Sequence, residues 1–267
     1  MIMKPQPNIR KYGKPPFTAA LIHGGPGAAG EMAPVSQQLG KTRGALEPLQ
    51  TADSVQGQID ELISQLKRHA RTPVTLVGFS WGAWLSLLAA AKAPSLVEKL
   101  ILIGCGPLSE EYSGSTRENR LKRLQGADRR ELTVLMGELD DPAKIFSTEK
   151  ADRLRQLIQK TDSFDPLCSN GNSIAFQADI AKRVWQEARL WRQQEKLLRA
   201  AAKVRCPVTF LHGQHDPHPA EGILMPLADV MNAFTFIMLH ECGHKPWIER
   251  RVRDRFFHIL EDQLMKN

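Results

Sequence analysis

Apolar positions in this chain fall into two kinds of run. Short continuous runs rich in β-branched and large aliphatic residues lie at Phe17–Ile22, Val74–Val77, Lys99–Ile103, Cys206–Leu211 and Phe234–Leu239. Runs of this length and composition predict strands buried on both faces. Arg43–Pro48 is a weaker strand candidate. Between them, apolar residues recur at helical spacing. Ile59, Leu62, Ile63 and Leu66 follow a cap at Asp53 or Ser54, Ala83–Ala91 is rich in Ala and Leu, and helices are also predicted over about 31–39 and 245–265. Residues 1–16 carry Pro and Lys and predict irregular chain. The alternation of strand and helix predicts an α/β protein with a mostly parallel sheet and helices on both faces.

The pattern changes from 108 to 202. Strand-like runs vanish, and the stretch is charged, helical and broken by Gly114, Gly126, Pro142, Pro166 and Gly171. Helices are predicted over 117–124, 129–138, 149–160 and 174–202. The region reads as one helical insertion, so the domain division is 1–107 with 203–267 for the sheet and 108–202 for the insertion.

A chain of 267 residues with 42% hydrophobic residues can bury a core without disulfides. Cys105, Cys168, Cys206 and Cys242 form neither a CxxC pair nor a zinc-spaced cluster, so reduced thiols and no metal are expected. No apolar leader stands at the N-terminus and no run is long enough to span a membrane, so the expected location is the cytoplasm. A net charge of +7 by itself points to a polyanion partner. However, its basic residues are interleaved with acids, as on a solvated helix face, so neither a nucleic-acid nor a membrane partner is expected. The partner implied is a small-molecule or short-peptide substrate, bound by a monomer or homodimer.

Chemistry concentrates at strand ends. Gly78-Phe79-Ser80-Trp81-Gly82 lies between a strand and a helix, the setting a G-x-S-x-G nucleophile elbow requires. Its glycines allow the close approach of strand and helix, and its bend holds the Ser80 hydroxyl above the sheet. Ser80 needs a base, and His244, after the last strand, can supply it. Asp216, after the preceding strand, can orient that imidazole. His215, His218 and His240 are the rival histidines. Backbone N–H groups of Trp81 and of the His23-Gly24-Gly25-Pro26-Gly27 loop, with Gly25 the leading choice, can hold an oxyanion. The loop also fits G-x-G-x-x-G through Gly25, Gly27 and Gly30, with Glu47 about 20 residues on, so dinucleotide binding is a rival reading. A catalytically silent binding protein is another.

Together these motifs resemble the prolyl iminopeptidase group of α/β-hydrolases. The resemblance implies an α/β-hydrolase fold with an inserted helical cap over the site, no cofactor, and hydrolysis of an ester or amide through an acyl-enzyme on a Ser80–Asp216–His244 triad. General carboxylester or carbon–carbon bond hydrolysis is the alternative on the same scaffold. Two departures stand out: the strands expected before the first motif are reduced, and the family's Asp-Gln-Arg-Gly segment appears only as Thr42-Arg43-Gly44. Iminopeptidases bind a free amino group with cap glutamates. Glu187 is the candidate substrate-binding residue here, with helix-surface charge as its competing role. Trp185 and Trp191 are expected to pack within the cap.

Overall fold

The computed structural model describes residues 8–141, 143–167 and 174–266; Met1–Pro7, Pro142, Cys168 and Gly171, on which some sequence readings fall, lie outside them. Seven strands form one sheet: β1 (Ile9–Tyr12), β2 (Phe17–Ile22), β3 (Gly44–Pro48), β4 (Val74–Phe79), β5 (Val97–Ile103), β6 (Val208–Gly213) and β7 (Thr235–Leu239). Their order is β1-β3-β2-β4-β5-β6-β7. All neighbours are parallel except β1, which runs antiparallel to β3 at one edge.

β1 corrects the expectation of irregular chain through residue 16. Its single aliphatic residue, Ile9, gave no periodic signal. Arg10, Lys11 and Tyr12 are tolerated because an edge strand leaves one side to solvent. Tyr12 donates to Glu47 at 2.7 Å and Arg10 pairs with it at 3.8 Å. Glu47 is fully buried by these contacts, so the carboxylate that dinucleotide binding would call on serves the sheet edge instead.

Alternation along the buried strands sorts side chains onto two faces. Leu76, Leu100, Leu102 and Phe210 meet α2 (Val55–His69) and α3 (Trp81–Lys92). Val77, Ile101, Ile103 and Leu211 meet α1 (Ala33–Leu39) and the C-terminal helix. Ser54 caps α2 by accepting from the Gly57 N–H at 3.1 Å. Pro34 sits in the first turn of α1, where its missing N–H costs nothing.

Between β5 and β6 the chain leaves the sheet through α4 (Ser113–Lys122), α5 (Gly126–Asp140), α6 (Thr148–Asp162), α7 (Ala178–Gln193) and α8 (Lys196–Ala201). The predicted helix over 174–202 is thus two helices. They part at Glu195, whose φ of 56° breaks the right-handed path. Leu124, Leu132, Leu135, Phe146, Leu154 and Leu157 form a separate apolar cluster inside this excursion. α8 instead packs into the sheet-face core through Leu197, Ala200 and Ala201.

α9 (Glu221–Ala228) was not foreseen; Pro226 inside it removes the usual helix signature. The C-terminal helix, α10, spans only Arg253–Met265, after a 3-10 turn at Pro246–Ile248. Among the described residues, no helix is long and apolar enough to cross a membrane.

Candidate active site

Ser80 stands between β4 and α3 with φ 52° and ψ −114°. A non-glycine residue is held there only when its surroundings over-determine it. The Ser80 N–H donates to the Ile103 carbonyl at 2.9 Å, tying the bend to β5. Crossing at this bend is close enough to exclude side chains. A Cβ on Gly78 would come within 2.4 Å of the Gly82 carbonyl, and one on Gly82 within 2.2 Å of the Ile22 carbonyl. Trp81, the first residue of α3, contributes an N–H with no carbonyl behind it in the helix.

The loop after β2 brings Gly25 to the same place. His23 holds that loop: the Gln50 N–H donates to its Nε2 at 3.1 Å, so the ring proton is on Nδ1 and bonds the Gly24 carbonyl at 2.8 Å. Complete burial lowers the His23 pKa and keeps the ring neutral for this role. The Gly27 carbonyl accepts from the Gln177 N–H at 3.0 Å, joining the loop to the chain entering α7.

Asp216 follows β6 and His244 follows β7. His244 Nδ1 is 2.7 Å from Asp216 Oδ2. The other carboxylate oxygen is also occupied, by His218: Nδ1 lies at 2.7 Å and the backbone N–H donates at 3.0 Å. Burial acts to raise the Asp216 carboxyl, but His244, His218 and His212 around it hold it well below the usual carboxylate range. Burial drives His218 the other way, down to about 4, so its ring is neutral near pH 7. With both Nδ1 atoms engaged on the carboxylate, each imidazole keeps its Nε2 for the cavity. The three side chains offer ligand atoms within 4.8 Å of one another, as a metal site would. The two Nδ1–carboxylate hydrogen bonds account for that convergence.

Ser80, Gly25, Trp81, His218 and His244 line one cavity of about 270 Å³. Its far wall comes from the excursion: Met136, Leu139, Phe146, Leu154, Ile158, Phe176 and Trp185. Trp185 therefore has a second role beside the expected packing, since it also stacks on Trp84 with ring centroids 6.1 Å apart. Trp191 is half-buried against the core, as its packing role requires. The excursion also holds His244. The His244 N–H donates to the Asp162 carbonyl at 2.7 Å, and the Asp162 carboxylate takes two hydrogen bonds from Arg120, at 2.6 and 2.9 Å.

Glu187 is placed elsewhere. Its carboxylate accepts from the Val55 N–H at 2.7 Å, at the first turn of α2. The unpaired donors and dipole at a helix start favour an anion there. Glu187 lies outside the cavity lining, so its charge secures the excursion to the sheet.

In the sequence His218 stands only as a rival base, and Arg120, Asp162, Glu31 and Lys245 belong to no motif. The last two form a half-buried pair at 2.6 Å in the cavity wall. Glu31's burial acts to raise its carboxyl, and the Lys245 ammonium outweighs it. The Asp-Pro-His spacing, two residues from acid to imidazole, was the one available hint.

A bent serine and an imidazole backed by a buried carboxylate, at the carboxyl ends of a parallel sheet and lining one cavity, make a hydrolase-type arrangement. Residues 21–256 match the family described as "Alpha/beta hydrolase family", and the chain belongs to it. Among solved structures, VinJ superposes with a TM-score of 0.68 at 16% identity, over 96% of this chain and 93% of that one. E-2-(acetamidomethylene)succinate hydrolase gives 0.63 at 17%, over 97% and 94%. A meta-cleavage product hydrolase from Pseudomonas fluorescens IP01 also gives 0.63, at 15%, over 96% and 93%. At these identities the likeness concerns the fold. No curated protein matches in sequence.

Proposed function

We propose that this protein is a serine hydrolase that opens carboxylic ester bonds through an acyl-enzyme on Ser80. The observation that carries the reading is the line from buried Asp216 through His244 Nδ1, at 2.7 Å, to a cavity wall shared with Ser80. Ser80 Oγ attacks the carbonyl carbon as His244 Nε2 takes its proton. The N–H groups of Trp81 and Gly25 receive the oxyanion. His244 then protonates the leaving group, and water releases the acyl group by the same steps in reverse roles. No step calls on a metal or an organic cofactor.

Amide cleavage beside a free amino terminus, the iminopeptidase reading, needs a carboxylate left over for the ammonium. Each lining carboxylate among the described residues already faces a cation: Glu31 faces Lys245, Asp140 faces Arg189 and Asp162 faces Arg120. The apolar far wall suits an uncharged acyl chain better. This favours the ester reading.

The test is a set of initial rates on short acyl esters, on proline and alanine anilides with free amino termini, and on their N-blocked forms. Esters are expected to turn over fastest. Ser80→Ala is expected to abolish turnover and reaction with a serine-directed phosphonate while leaving the circular dichroism unchanged. Undiminished activity in that variant would remove the assignment. Cleavage confined to free-amino-terminal anilides would restore the iminopeptidase reading.

A further inference from the structure

Ser80 opens onto a second cavity, of about 220 Å³, on the side of α4 and α7. It shares Ser80, Trp81, Arg120 and His218 with the first but differs in character. Four guanidiniums, of Arg117, Arg120, Arg189 and Arg192, face three carboxylates, of Asp140, Asp162 and Glu110. Among these seven groups the guanidiniums outnumber the carboxylates by one. The least committed is Arg117, whose contact with Asp140 is 3.9 Å long, because that carboxylate lies 2.6 Å from Arg189.

Three further features lie within the same few residues. α4 begins here, directly after a 3-10 turn at Glu110–Tyr112; the Ser113 N–H donates to the Glu110 carbonyl, and no side chain caps the N–H groups that follow. Gly114, in its first turn, has open space where a Cβ would project. Thr116, only 8% exposed, lines the cavity, and its buried hydroxyl has no hydrogen-bond partner among the described residues. A buried hydroxyl without a partner costs free energy that a ligand acceptor would recover.

Building on the hydrolase reading, we infer that this second cavity is an anion-binding arm, and that the substrate is an ester with an apolar group on one side of the scissile bond and a carboxylate on the other. The first-turn N–H groups of α4 after Ser113 and the Thr116 hydroxyl donate to the carboxylate, and Arg117 supplies the charge. The apolar arm under Phe146 and Phe176 takes the other end of the substrate.

Two matched substrate pairs test this. Mono(4-nitrophenyl) adipate is compared with 4-nitrophenyl hexanoate, and the hexanoyl ester of 3-hydroxybenzoate with phenyl hexanoate. In one pair the carboxylate-bearing member is expected to show kcat/KM at least about tenfold higher, mainly through KM, the lower end for a charge-assisted hydrogen bond. Arg117→Gln with Arg189→Gln is expected to bring that ratio to about one. Thr116→Val, which removes a hydroxyl no protein group uses, is expected to lower it several-fold. The ratio is the readout, because any general loss of folded protein affects both members equally. A ratio near one in both pairs, or a ratio that survives the arginine changes, overturns the anion arm.

Absence of turnover on all four esters would overturn the hydrolase reading instead. The arm is then judged by calorimetric titration of Ser80→Ala protein with hexanoate and with neutral hexanamide. Hexanoate binding about tenfold tighter, and losing that advantage in the arginine background, supports the arm; equal affinities reject it.

Discussion

Asp216 is the residue on which the site converges, and it serves two imidazoles at once. His218 occupies one oxygen so that the other is committed to His244. This has a consequence for stability against pH. An ordinary histidine titrates near 6.5, whereas His218 in the folded protein is held at about 4. Above 6.5 both states are neutral. Between 6.5 and 4 the unfolded chain binds the proton and the folded one does not, so acid favours unfolding. The contribution approaches about 3 kcal/mol at the acid end. Chemical denaturation from pH 7 to pH 4 should therefore show His218→Gln losing less stability than the wild type; parallel curves would show that His218 is not the responsible group. The catalytic readout is separate. His244→Ala is expected to lower kcat by several orders of magnitude, and to lower the unfolding midpoint as well, because it leaves one oxygen of the buried Asp216 carboxylate unpaired. At this scale Ser80, Asp216 and His244 were legible because their motifs sit at strand ends. Arg120, Asp162 and Lys245 were not, because their partners lie far away in sequence: 42 residues separate Arg120 from Asp162.

Among elements, the elbow is the most demanding. Strand β4, helix α3 and strand β2 meet with no space for a methyl group at Gly82. Gly82→Ala should lower Tm by about 6 °C or more and impair turnover with it, because β2 or the bend must move. A differential scan showing an unchanged Tm would mean the crossing is looser than described. The buried strands and α2 were legible within a residue or two, because continuous apolar runs and helical spacing are local signals. The elements missed or misjoined share a different cause. β1 exists because β3 offers it an edge and Glu47 a partner. α9 holds Pro226 because packing through Ile223 and Leu227 outweighs the lost hydrogen bond. The break at Glu195 falls in a run of good helix formers, where only packing on the sheet demands a turn.

On the scale of the molecule, the apolar side chains of the described residues gather in three clusters, one on each face of the sheet and one within the excursion between β5 and β6. The third is the smallest and is walled by α5 and α6, which carry Arg153 and Lys160 in exposed ion pairs to Asp128 and Glu131. Such pairs contribute little in water. Hydrogen exchange followed by mass spectrometry should find amides of α5 and α6 opening at lower free energy than those of β4, β5 and β6. Equal protection would mean that the excursion and sheet unfold as one unit. This matters for turnover, because the far wall of the cavity, and the Asp162 carbonyl that holds the His244 backbone, both belong to that region.

The sequence by itself determined the parallel sheet, its helical layers, the elbow and the three residues of the proposed triad. Each of these depends on the chain's local pattern: apolar period, glycine spacing and the position of a polar residue at the end of a strand. Only the tertiary structure decided that Glu187 serves the start of α2, that Glu47 belongs to a sheet edge, and that His218 shares Asp216 with His244. It also decided that Ser80 faces an apolar cavity on one side and a basic one on the other. A charge acquires its role from the partner that neutralises it, and partners 28 to 132 residues away are brought into contact only by the packing of the whole fold.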